Sequence, residues 1–168
     1  MNIRPERSED IASIHEVNEQ AFGRAGEADL VDALRKQATP FLSIVAEEDG
    51  KVVGHICFSP VTIEHSDGST VKIIGLAPMA VAPGRQNQGI GSQLVRSGLE
   101  ECRRAGFSAV VVLGHSEYYP RFGFRPASTA GLRSEYDVPD PVFMLLEFSS
   151  GNDLSGVARY HPAFAAVE

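Results

Sequence analysis

Between Gln86 and Ser92 the chain reads Gln-Asn-Gln-Gly-Ile-Gly-Ser, two glycines one residue apart at the head of a stretch with helical periodicity. Just upstream an apolar strand runs to Val81, and Pro83-Gly84 breaks it. The N–H groups at a helix start have no partner within the helix and sit at the positive end of its dipole. Glycine lets an anion come close to such a backbone without meeting a Cβ. A strand, a glycine-bearing loop and a helix in this order form a cradle for a diphosphate. The chemistry then depends on what the diphosphate is attached to.

Three loops of this kind differ in what surrounds the glycines. The nucleotide-hydrolase loop needs Lys and then Ser or Thr after its last Gly. Here Ser92 and Gln93 follow Gly91, which excludes it. The dinucleotide fingerprint needs a third Gly where Leu94 stands, and an acidic residue roughly 20 positions later. That later region is Ser108-Ala109-Val110. The third pattern, Gln/Arg-x-x-Gly-x-Gly/Ala after a strand, is met by Gln86-Asn87-Gln88-Gly89-Ile90-Gly91. It resembles the coenzyme A diphosphate loop of the GCN5-related N-acetyltransferase (GNAT) family. For the loop taken alone, a glycine-rich turn with no ligand is the plain alternative.

A second segment, AVVVLGHSEYYPRFGF from Ala109 to Phe124, points the same way. Ala109 to Leu113 form a short apolar strand that Gly114 ends. Such a run is buried on both faces in a parallel sheet. Ser116 is placed to cap a short helix with Glu117 in its first turn. Tyr119-Pro120-Arg121-Phe122-Gly123-Phe124 then resembles the Tyr-x-x-x-Gly-Phe signature of the same family, in which the Tyr stands at the acyl sulfur. Both motifs come in the family's order, and the wording of the middle of the chain resembles its bacterial YhbS-like branch. The resemblance covers about residues 1 to 148 and leaves 149–168 as an irregular extension packed on the same domain.

Acetyl transfer from a thioester to an amine requires a polarised carbonyl, a neutral amine at the moment of attack and a proton for the leaving thiolate. The resemblance implies that the backbone at Met79, Ala80 and Val81 binds the acyl-pantetheine arm and polarises its carbonyl. It also implies that Gln86, Asn87, Gln88, Gly89, Ile90, Gly91 and Ser92 hold the diphosphate, with Arg85 as an outer contact or a solvated charge. Tyr119 is the candidate general acid, since a phenol is protonated at neutral pH and can give its proton to a thiolate. Packing beside Phe122 and Phe124 is its structural alternative. The base stays open among Glu27, His55, His115, Glu117 and a chain of water.

These residues need elements to hold them. Asn2 to Arg4 read as a strand, and Ser8 starts a helix whose Ile11, Ile14, Val17 and Ala21 share a face. Glu27 to Gln37 read as a second helix with Leu30, Val31 and Leu34 inward. Leu42 to Glu48 and Val52 to Ile63 make a hairpin about Asp49-Gly50, the second strand interrupted by Pro60. Val71 to Val81 follow, with a bulge expected at Pro78. Gln88 to Ala105 form the long helix, with Ile90, Leu94, Val95, Leu99 and Cys102 inward and Gly98 allowing close packing. Val110 to Leu113, a strand near Phe124, and Val142 to Phe148 complete an α/β fold. The resemblance implies a GNAT fold with a mixed sheet of about seven strands and helices on both faces.

The totals set outer bounds. A chain of 168 residues is the size of one domain with a full core. A net charge of −7 argues against a nucleic-acid partner. No apolar run approaches the ~20 residues that span a bilayer, and the first residues lack a signal peptide's apolar core, so a cytoplasmic location is expected. The five His have no metal-ligand spacing, and Cys57 and Cys102 read as small buried hydrophobes. The expected function is transfer of acetyl from acetyl-CoA to a primary amine of a small molecule by direct attack. The alternatives are a non-catalytic CoA-binding sensor or partner protein, or an enzyme acting on a protein amine. A homodimer stays open.

Overall fold

The computed structural model describes residues 1–167. Strands β1 (Asn2–Pro5), β2 (Leu42–Glu48), β3 (Lys51–Glu64), β4 (Thr70–Val81), β5 (Ala109–Leu113), β6 (Arg125–Pro126), β7 (Leu132–Ser134), β8 (Phe143–Glu147) and β9 (Gly156–Tyr160) form one sheet. Helices α1 (Ile11–Phe22), α2 (Gly26–Gln37) and α3 (Ile90–Arg104) cover it. The sheet order is β1-β2-β3-β4-β5-β8-β6, with β9 pairing β3 beyond the end of β2 and β7 pairing β9.

Strand alternation assigns the two faces. Ile44, Ala46, Ile56 and Phe58 turn to the side of α3, whose Ile90, Leu94, Val95, Leu99 and Cys102 are buried against them. Val45 and Cys57 turn to the other side, where Ile14 of α1 and Leu30, Val31 and Leu34 of α2 pack. Further along that side, Val61, Ile63, Ile73 and Val111 meet Ala158 and Tyr160 of β9. Gly98 is where α3 touches the sheet, since a Cβ there would stand 2.4 Å from Phe58 Cε1.

The sheet opens in its middle. β4 and β5 run parallel and stay paired from Ile74↔Val110 to Leu76↔Val112. Then β4 bulges at Ala77-Pro78, as its proline leads one to expect, and the register against β3 shifts between Ile56 and Phe58. Beyond the bulge Met79, Ala80 and Val81 pair with Ile56, His55 and Gly54 of β3. β5 meanwhile ends at Leu113, opposite Phe143 of β8. Among the described residues, one edge of Met79–Val81 therefore faces no strand.

Four readings need correction. The C-terminal extension is not irregular throughout, because its residues 156–160 form β9, which adds to the far end of β3 through Val61↔Tyr160 to Glu64↔Val157. With β7, this raises the count to nine strands among the described residues. β3 passes through Pro60 without interruption, because Pro60 falls where its partner changes from β2, whose pairing ends at Leu42↔Phe58, to β9, whose pairing begins at Val61↔Tyr160. α3 begins at Ile90 and not at Gln88, because Asn87 (φ 62°) and Gly89 (φ 83°) hold the loop in left-handed turns. Ser116 caps no helix, and the short 3-10 turn starts at Tyr119, ahead of Pro120.

Candidate active site

Two cavities lie near the opening, and Met79 lines one of them while its side chain reaches Gly91 of the other. The first, about 430 Å³, is lined by Val81, by the loop residues Gln86, Asn87, Gly89, Ile90, Gly91 and Ser92, and by Arg85, Tyr118 and Arg121. Among the described residues no side chain caps the start of α3, so the N–H groups of its first turn are left for a ligand. A Cβ on Gly91 would stand 3.4 Å from Tyr118 Oη and 3.5 Å from Met79 Cε, so any larger side chain grows against these two residues at the cavity wall. The Gln86 amide donates to Val81 O at 3.1 Å and ties the loop to the strand end. Arg85 forms an ion pair with Glu48 and donates to Gln88 Oε1 at 3.1 Å.

Tyr118 and Arg121 belong to this cavity and were not among the sequence-derived cofactor residues. Tyr118 Oη lies 3.0 Å from Ser92 Oγ. The Arg121 guanidinium stacks 4.5 Å from the Tyr118 ring centroid, and its Nε donates to Tyr118 O at 2.9 Å. An Arg stacked on an aromatic beside a helix N-terminus was visible in the sequence only as one residue inside the Tyr-x-x-x-Gly-Phe stretch.

The second cavity, about 480 Å³, is bounded by Leu76 to Met79 of β4, the end of β5, Gly114, His115 and Tyr119, with Glu27 and Leu30 of α2 and the C-terminal Tyr160, Phe164 and Val167. Tyr119 is buried, with ring centroids 5.1 Å from Tyr118 and 5.7 Å from Phe124. Gly114 makes room for it, since a Cβ there would stand 2.4 Å from Tyr119 Cε2. The hydroxyl makes no hydrogen bond among the described residues. Burial, with a smaller contribution from Tyr118, pushes its pKa up to about 12.

The four base candidates separate. Glu27 and His115 line the second cavity. Glu27 accepts from Arg24 at 2.9 and 2.6 Å, and this pairing, against desolvation, holds its carboxyl below the usual range. Glu117 is exposed and lines neither cavity. His55 is fully buried within β3, between Asn18 of α1 (3.1 Å) and Ser43 of β2 (2.8 Å). Both cysteines are buried with raised pKa values, Cys102 up to about 12, because burial disfavours the thiolate.

Residues 2–127 match the family model described as an acetyltransferase (GNAT) domain. The chain belongs to the GCN5-related N-acetyltransferase family of acyltransferases. It is 34% identical over 167 residues to the uncharacterized N-acetyltransferase YhbS of Escherichia coli (strain K12), covering 98% of both chains. The crystal structure of E. coli YhbS in complex with CoA superposes with a TM-score of 0.89 over 98% of this chain and 91% of that one. A GNAT family acetyltransferase from Brucella melitensis, solved in complex with acetyl-CoA, is 42% identical with a TM-score of 0.80 over 97% of each chain. The uncharacterized N-acetyltransferase YjhQ of E. coli (strain K12) is 44% identical over 134 residues, 78% of this chain and 74% of that protein. Among the described residues no helix is long and apolar enough to cross a membrane.

Proposed function

We propose that the protein transfers the acetyl group of acetyl-CoA to the primary amine of a small molecule, by direct attack across the opening between β4 and β5. Acetyl-CoA is the cosubstrate, and the glycine loop, the uncapped start of α3 and the free edge of β4 fit it. The diphosphate accepts from backbone N–H groups of Asn87 to Ser92, with Arg121 beside them. The pantetheine arm lies along Met79–Val81 as an added strand would, and a backbone N–H there polarises the thioester carbonyl. The observation that carries the reading is the second cavity, whose volume suits a small molecule and which gathers Tyr119, Glu27 and His115 at that edge.

The acceptor binds as its ammonium, with Glu27 accepting from it. One proton leaves to His115, which is exposed at the rim and passes it to water. The neutral amine attacks the carbonyl carbon, the C–N bond forms and the C–S bond breaks. Tyr119 donates its proton to the departing sulfur and is restored by the second proton that the new amide nitrogen sheds. The net products are the N-acetyl compound, free CoA and one proton. Glu27 serves here as an anchor, because a carboxylate kept ionised by Arg24 is a weak base.

An amine panel with acetyl-CoA, read as free thiol, tests this. At least one amine should be acetylated, and Tyr119→Phe should then lower kcat by ~10²–10⁴-fold with acetyl-CoA affinity unchanged. If CoA binds and no amine reacts, the chain is a CoA-binding sensor on this fold. If an amine reacts and the variant keeps its full kcat with chemistry limiting, Tyr119 is a packing aromatic.

A further inference from the structure

We infer that the acceptor is an amine carried on an apolar, preferably aromatic, body, and that the C-terminal segment is the wall that selects it. This rests on the second cavity being the acceptor site. Among the described residues five large hydrophobic side chains stand exposed, and three of them, Phe22 (40%), Leu113 (36%) and Tyr136 (37%), line this one cavity. Scattered exposed apolar residues are ordinary, but a cluster in one concavity marks a surface kept for a ligand. The polar side chains in the lining are Glu27, His115 and phenols. Besides Glu27 and His115, a hydroxyl-rich amine such as an aminosugar would meet only the phenols of Tyr119, Tyr136 and Tyr160, the last buried and unpartnered among the described residues, so most of its hydroxyls would lose water without replacement hydrogen bonds. A cationic head on an apolar body meets one ionised carboxylate and a hydrocarbon wall.

Part of that wall comes from the segment after residue 155. β9 is fixed on β3 and β7. From it a column of rings rises, Tyr136–Tyr160 at 5.8 Å between centroids and Tyr160–Phe164 at 5.1 Å. Tyr160 N donates to Glu135 at 2.5 Å, which joins the Tyr136 turn to β9. Val167 reaches the start of α2, 3.8 Å from where a Cβ on Gly26 would stand. The same segment thus borders the cavity beside both Glu27 and Tyr136. Deleting one of its side chains should change which amine fits and leave the acetyl-CoA side alone.

The test compares phenethylamine, n-hexylamine, ethanolamine, glucosamine and a lysine-bearing peptide in initial-rate assays. Alongside, calorimetry measures phenethylamine binding to the CoA-loaded protein. The expected order has phenethylamine ahead of ethanolamine and glucosamine by on the order of 100-fold in kcat/KM, and phenethylamine binding without any turnover being needed. Phe164→Ala should raise the KM for phenethylamine about tenfold, hold ethanolamine within about threefold and leave acetyl-CoA affinity intact. Val167→Ala is the milder second variant should Phe164→Ala fold poorly. Glucosamine or the peptide as the best acceptor overturns the inference while leaving acetyl transfer standing. Absence of phenethylamine binding overturns it even if no amine is turned over, and it is then the thiol assay that has removed the acetyl-transfer reading.

Discussion

His55 is chemically attractive as a base but is committed to the core. Ser43 Oγ donates to the Glu6 carboxylate at 2.6 Å, so it accepts from His55 Nε2 at 2.8 Å, and His55 Nδ1 accepts from the Asn18 amide at 3.1 Å. The neutral ring fits this chain and an imidazolium does not. Burial is the main cause of a pKa driven down to about 3, with the Arg35 charge pushing the same way and Glu6 opposing. The sign follows. The unfolded chain takes up this proton below about 6.5, whereas the folded chain does so only near 3, so the stabilisation is whole above pH 6.5 and is lost as pH falls between the two. Between pH 7 and pH 5 this one group should remove about 2 kcal/mol. Urea unfolding at the two pH values checks it. His55→Gln should be less stable at pH 7 and show a smaller pH dependence, and an unchanged slope in the variant would assign the acid sensitivity to other groups.

At the scale of elements, the cradle rests on the junction of β4 and α3. Gly91 has an ordinary helical backbone, so Val there brings little strain, but its side chain grows toward Tyr118 and Met79. Gly91→Val should keep stability within about 1 kcal/mol and abolish measurable CoA binding by calorimetry, whereas equal affinity would mean that the diphosphate lies elsewhere. Much of this junction was legible in the sequence. The apolar stripe of α3, the Asp49-Gly50 hairpin and the bulge at Pro78 are local patterns, set by residues within a turn or two. β9 was not legible, because five residues reading Gly-Val-Ala-Arg-Tyr become a strand by pairing with Val61–Glu64 and Leu132–Ser134, both distant in the chain. The aromatic wall shared by Tyr136, Tyr160 and Phe164 was hidden for the same reason. The split among Glu27, His115, Glu117 and His55 needed burial and cavity position, which spacing along the chain does not carry.

For the whole molecule, the decisive relation is that Met79, which lines the second cavity, also reaches Gly91 of the first. In the proposed reading both substrates are bound at once, with no protein nucleophile between them. Cys57 and Cys102 are buried with thiols pushed up in pKa, so neither offers a thiolate to carry acetyl. A ternary complex leaves a kinetic signature different from that of an acyl-enzyme. The measurement that tests direct transfer most directly is a grid of initial rates in which acetyl-CoA and the amine are both varied, paired with intact-mass spectra of the protein after acetyl-CoA alone. Direct transfer predicts double-reciprocal lines that intersect and an unmodified protein mass. Parallel lines together with a protein heavier by one acetyl group would contradict it.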